Sequence, residues 1–223
     1  MKKSRILTLV VLCGLLIGVY SLLFWPSERP ITEAQEQVSV QIDDSSVVAT
    51  YSNLCRVTAT RREVFFDFAV SVRSGKSGQA QVPINRRIVT NLYTAKRMLH
   101  AMKLTVQRHE AAFGVLRGQD GSNQDSEEVE LDASRVLPSY ANFCRVTGTP
   151  EELILDFGLN PQPFGVPAKP IPVQWRILAN FFTGKQLVLD LESAIKRYEA
   201  AHGELETDVR RRLRPEALTL PEQ

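Results

Sequence analysis

The feature that most constrains this chain is an internal repeat. Residues 51–60, Tyr-Ser-Asn-Leu-Cys-Arg-Val-Thr-Ala-Thr, return at 140–149 as Tyr-Ala-Asn-Phe-Cys-Arg-Val-Thr-Gly-Thr. The offset of 89 holds without a gap from Val40–Leu116 to Val129–Leu205, with 26 identities over 77 aligned positions. Many of the other positions exchange one apolar residue for another, such as Val64 for Leu153 or Met98 for Leu187. A fixed period over a whole unit marks a duplicated supersecondary block. Each copy therefore serves as an internal control on the other, and residues kept in both carry the most information.

The copies are set off by polar stretches. Residues 26–37 are rich in Glu, Pro and Gln, and residues 117–128 contain Gly118, Gly121, Ser122, Asn123 and Asp125, so both read as linkers. This divides the chain into a 1–25 anchor, a 26–37 linker, unit 1 at 38–116, a 117–128 linker, unit 2 at 129–205 and a 206–223 polar tail. In unit 1 the alternation of Val38, Val40 and Ile42 predicts a short strand. Further strands are expected at about 51–60, 64–70 and 82–91.

The period then becomes helical: Ala95, Met98, Leu99, Met102, Val106, His109 and Phe113 recur every three or four residues. Their counterparts are Gly184, Leu187, Val188, Leu191, Ile195, Tyr198 and His202. Thr94 and Thr183 stand where N-caps are expected, and Gly114 and Gly203 where helices stop. The expected fold is α+β: two tandem pseudo-symmetric units, each an antiparallel β-meander of three to four strands followed by one amphipathic helix, after an N-terminal transmembrane helix. One helix covers one face of such a sheet, which leaves the other face for the second copy.

The N-terminus carries Lys2, Lys3 and Arg5, and residues 6–25 hold no charge, about the ~20 residues that cross a bilayer. A cleaved secretory signal is the rival reading, but its apolar core is shorter and no small-x-small site precedes Pro26. The basic flank predicts a single-pass inner-membrane protein with its N-terminus inside and its body outside the cytoplasm. Beyond that flank 24 basic residues face 25 acidic ones, a balance that gives no support to nucleic-acid binding. The cluster Arg210, Arg211, Arg212 and Arg214 reads as a solvated tail.

Among the polar residues kept in both copies, eight pairs are the candidates: Asn53/Asn142, Arg56/Arg145, Asp67/Asp156, Arg87/Arg176, Asn91/Asn180, Lys96/Lys185, Arg108/Arg197 and Glu110/Glu199. A tight hairpin centred between Arg61 and Arg62 sets residues whose numbers sum to 123 opposite each other. Arg56 then faces Asp67, and Arg145 faces Asp156, as structural ion pairs. Arg87 and Arg176 either join these pairs or bind an anion. Lys96 and Lys185 fall in the first helical turn, where the dipole disfavours a cation, so they read either as solvated lysines or as bound to a partner carboxylate or an anion. Asn53 and Asn142, near strand starts, are suited to satisfying backbone groups. Cys55 and Cys144 match in position and are read either as small buried strand residues or as a disulfide across the pseudo-dyad.

Other chemistry finds little support. Gly75-Lys76-Ser77 lacks the leading glycine of a phosphate loop, since Val70 stands there. His100, His109 and His202 are the three histidines and none is matched by histidine in the other copy, which argues against zinc or histidine-based nucleophilic sites. His109 sits on the apolar stripe and reads as a packing residue. No cofactor, metal or catalytic residue is expected.

In order along each unit, Tyr51-Ser-Asn53, Asp67-Phe68, Arg87-Ile88, Thr94 with Lys96, and Arg108-His-Glu110-Ala-Ala-Phe-Gly114 form a pattern repeated in the second copy. This pattern resembles a bacterial family of small single-unit proteins that is a domain of unknown function. The resemblance covers about residues 38–205 and implies that single units pair, so that the fusion is a pseudo-symmetric monomer whose two repeats pair with each other. It brings no activity with it.

Two functions remain open. The first is a noncatalytic protein-binding or assembly module at the membrane, using a sheet face, a helix face or the Pro-rich loop 161–170 to meet an unidentified protein. The second is a small-anion receptor or enzyme with a site between the units built from the ligand candidates Arg87, Arg176, Lys96 and Lys185.

Overall fold

A computed structural model describes residues 40–72, 81–117, 129–162 and 167–213. The expected membrane segment, the Gly75-Lys76-Ser77 stretch and the middle of the Pro-rich loop lie outside these residues. Among the described residues no helix is long and apolar enough to cross a membrane.

Unit 1 contains β1 (Ile42–Asp43), β2 (Val48–Tyr51), β3 (Leu54–Ala59), β4 (Glu63–Ala69), β5 (Val82–Asn91) and helix α1 (Leu92–Phe113). Unit 2 repeats them as β6 (Leu131–Asp132), β7 (Pro138–Tyr140), β8 (Phe143–Gly148), β9 (Glu152–Gly158), β10 (Ile171–Asn180) and α2 (Phe181–His202), and a short α3 (Val209–Arg212) follows. Strands β3, β4 and β5 form an antiparallel meander, as do β8, β9 and β10. The β3–β4 register places Arg56 opposite Asp67, and β8–β9 places Arg145 opposite Asp156, so paired residue numbers in the first hairpin do sum to 123.

The first segments of each unit depart from a self-contained meander. Strands β1 and β2 leave their own sheet and pair in parallel with β10, while β6 and β7 pair in parallel with β5. Each sheet therefore has five strands, drawn from both units. The reason is reach. Only Ser52 and Asn53 join β2 to β3, and β3 lies at the far edge of its sheet from β5. Three strand spacings of about 4.8 Å separate β3 from the free side of β5, whereas three chain steps of 3.8 Å span about 11 Å. The free side of the ten-residue β10 is within reach instead, and its otherwise unpaired edge is capped by the exchanged segment. The single strand expected at 51–60 is accordingly broken, with Ser52 N–H donating to Leu178 O at 2.8 Å and its buried hydroxyl bonding to Leu54 O and Ala69 O.

One hydrophobic cluster spans both units. Val64, Phe66 and Phe68 of β4 and Leu153, Leu155 and Phe157 of β9 are buried together with Met98, Met102, Leu187 and Leu191 of the helices. Helix α1 packs on β8 of the other unit, α2 on β3, and the two helices on each other. The repeats thus meet through interleaved strands, packed helices and contact between the apolar faces of β4 and β9. Phe68 and Phe157 occupy equivalent positions and their rings lie 6.2 Å apart, a contact that contributes about 0.5–1.5 kcal/mol beyond burial.

The helix caps also differ from expectation. Asn91 and Asn180 are the N-caps, their side chains accepting from Thr94 and Thr183 N–H at 2.9 and 2.8 Å. Both helices begin directly after a long strand, so its last residue supplies the cap. The Thr94 hydroxyl donates instead to Asn142 O and that of Thr183 to Asn53 O, each in the other unit. Gly114 and Gly203 do end the helices, at φ 97° and 90°, where a side chain is strained.

Candidate functional site

By strand alternation Asp67 lies on the face opposite Phe66 and Phe68. It is buried, and two arginines close over it: Arg56 Nη2 lies 3.0 Å from Oδ2, and Arg87 donates from Nε to Oδ1 at 2.6 Å and from Nη2 to Oδ2 at 2.9 Å. Asp156 repeats the arrangement with Arg145 and Arg176, and Asp44 of unit 1 adds a further bond to Arg176 at 2.9 Å. Burial pushes the Asp156 carboxyl up, but the guanidinium bonds of Arg176 and Arg145 outweigh it and hold the group below its usual range. The bond to Asp67 raises Arg87, and those to Asp156 and Asp44 raise Arg176.

The lysines cross between units. Lys96 Nζ donates to Glu199 Oε1 and to Leu205 O, both at 2.7 Å. Lys185 does the same toward Glu110 Oε1 at 2.7 Å and Leu116 O at 2.6 Å. Each glutamate also accepts the N–H of the leucine six residues on, so the segment leaving one helix is pinned to the start of the other. The lysine bonds lower both glutamates. The sequence signal, a cation misplaced in a helix dipole, thus corresponds to a partner carboxylate. All four ligand candidates have acidic partners within the chain.

Asn53 joins the start of β3 to the end of β4 through a two-way bond with Ser71, and Asn142 does likewise with Asn160. Cys55 and Cys144 are free thiols packed against the core, and burial pushes both up, with the charges of Asp67 and Asp156 adding to it. The polar tail is not wholly solvated: Arg212 stacks on Tyr93 of α1 at 3.9 Å. Among the described residues no three His, Cys, Asp or Glu side chains gather as a metal site.

Of the eight retained pairs, Arg108 and Arg197 make no bond beyond their own helices among the described residues; Arg197 donates to Ser193 and both are exposed. Each lines a cleft between a helix of one unit and the first meander strand of the other, but apart from Arg108/Arg197 and Val146/Val57 the two linings do not correspond. Thr105, Arg108, His109, Phe113, Val146 to Pro150 and Phe181 enclose about 470 Å³. Cys55, Arg56, Val57, Asp190, Ser193 and Arg197 enclose about 300 Å³. In the larger cleft His109 stacks on Phe181 with ring centres 3.6 Å apart, and its Nε2 lies 2.9 Å from Pro150 O. His109 therefore packs, as its place on the helix stripe suggests. Sequence reasoning noted the retention of Arg108 and Arg197 but had no means of placing them at a cleft, because the opposing strand comes from the other unit.

The family described as a protein of unknown function (DUF3467) matches the chain twice, over residues 26–118 and 117–207. No curated protein and no solved structure matches it.

Proposed function

The chain belongs to this family of unknown function and carries its unit twice, and from that premise we propose that it is a noncatalytic binding or assembly module for another protein. In this reading residues 6–25 hold it in the inner membrane and the body lies outside the cytoplasm. The observation that carries the reading is the use to which the retained charges are put. Arg87, Arg176, Lys96 and Lys185 each bind a carboxylate of the chain itself, which favours cohesion of the two units over capture of an anion between them. Fusion makes that cohesion intramolecular, so the surface is presented independently of protein concentration.

The test is purification of the full-length chain from detergent-solubilised membranes. A protein partner present in constant ratio through successive columns is the expected result. Absence of any partner, together with a rise in melting temperature on adding inorganic phosphate or sulfate, overturns it in favour of an anion receptor.

A further inference from the structure

We propose that the cleft between α1 and β8 is where the partner docks, and that it takes an extended segment in which an acidic residue stands next to an aromatic or branched aliphatic one. The proposal rests on the protein-binding reading above and names the site for it. Among the residues lining this cleft Arg108 carries the one formal charge, and it has no carboxylate partner among the described residues. Phe113 beside it is 62% exposed, with Phe181, Pro150 and Val146 supplying further apolar wall. A planar guanidinium next to an aromatic surface suits a carboxylate carried beside an apolar side chain.

The internal comparison strengthens the case. In the Arg-x-Glu-x-x-x-Gly stretch, Glu110 receives Lys185 and Gly114 ends the helix, but Arg108 has no such task. The second copy keeps this arginine as Arg197, while His202 stands where Phe113 does and Tyr198 where His109 does.

The experiment places a photo-reactive benzoylphenylalanine in the full-length, membrane-resident chain, at Phe113 in one variant and at Phe182 in another. Phe182 is 58% exposed and lies outside the cleft. Each is made with and without Arg108→Glu, an exposed substitution that leaves the melting temperature unchanged. The expected result is a discrete adduct from position 113 and none from 182, falling at least about tenfold with Arg108→Glu, as loss of one charge-assisted bond implies. An adduct at 113 that survives Arg108→Glu, or equal adducts at both positions, overturns the proposal. An adduct at 182 alone overturns the cleft but leaves a protein-binding module standing. No adduct at either position overturns the cleft, and the protein-binding reading then stands or falls on co-purification.

Discussion

The guanidinium of Arg86 lies over the ring of Trp175, 3.7 Å from its centre, and the two residues hold the same place in their respective units, 89 positions apart. Equivalent residues touch only where the pseudo-dyad passes between them. A homodimer of one unit puts two arginines, or two tryptophans, at this contact. Duplication allows one of each, and a cation on an indole face is attractive by about 0.5–2 kcal/mol. The Arg86 side chain is partly buried, which lowers its pKa, so a second arginine in Trp175's place meets it in a poorly hydrated setting.

Trp175→Arg is therefore expected to destabilise the protein by about 1–3 kcal/mol, and adding Arg86→Trp to restore most of that loss. Urea unfolding of the two single variants and the double swap measures the coupling. Losses that simply add contradict a dyad contact.

A second pair of exchanges compensates by volume. Unit 1 has Val64 on β4 and Ala95 on α1, whereas unit 2 has Leu153 and Gly184. A Cβ at Gly184 meets Leu153 Cδ2 at 2.6 Å, so the larger leucine occupies the space of the missing methyl. Gly184→Ala alone is expected to cost about 1–3 kcal/mol through overpacking. Combined with Leu153→Val, which recreates the unit 1 pair, most of the cost disappears in a double-mutant cycle. Independent effects of the two changes refute the compensation.

The Asp67 ion pairs are unequal. The Asp67 side chain is 2% exposed, that of Arg87 23% and that of Arg56 46%. Arg87→Met removes two charge-assisted bonds from a buried carboxylate and is expected to cost about 2–3 kcal/mol. Arg56→Met removes one bond from a half-exposed group and is expected to cost about 1 kcal/mol or less. Equal losses on denaturant titration count against this ordering.

Acid sensitivity follows from the crossed lysines. Glu110 and Glu199 are held below the ordinary glutamate value of 4.5, first by their lysine bonds, and Glu192 is lowered to about 2 by Lys103 and Lys196. A carboxyl lowered in the folded state contributes stability that is complete above its unfolded pKa and lost as pH falls through the folded value. The melting temperature is expected to hold from pH 8 to about pH 5.5 and to decline steadily toward pH 3. Lys96→Met with Lys185→Met lowers it at pH 7 and flattens the decline. Calorimetry across this range checks both, and a melting temperature that climbs below pH 5 is the contrary outcome.

Much of this was legible from residue patterns because those features are local. The hairpin register follows from its turn, the helices from their apolar stripe, and their ends from Gly114 and Gly203. The destinations of β2 and β7 were not, since a three- or four-residue strand pairing in parallel with a distant partner leaves no periodic mark. The two-residue Ser52–Asn53 link held the clue, but its meaning depends on β3 lying at the sheet edge. Asn91 and Asn180 are hard to read as caps from the sequence because they also end strands. The lysine positions leave a solvated lysine, a carboxylate and an anion open, and the choice is not readable along the chain because Glu110 and Glu199 come to them across the pseudo-dyad.

Strand exchange is tested most directly by paired cysteines in a background lacking the native thiols. Tyr51 lies opposite Leu178 of unit 2, and Tyr140 opposite Val89 of unit 1, so an unexchanged arrangement sets Tyr51 opposite Val89. Neighbouring strands lie about 4.8 Å apart, within the roughly 7 Å between Cα atoms that a disulfide tolerates. On mild oxidation Tyr51→Cys with Leu178→Cys is predicted to form an intramolecular bridge, identified by peptide mass, while Tyr51→Cys with Val89→Cys is not. A bridge between positions 51 and 89, or one between 51 and 178 that joins two separate chains, contradicts the interleaved monomer.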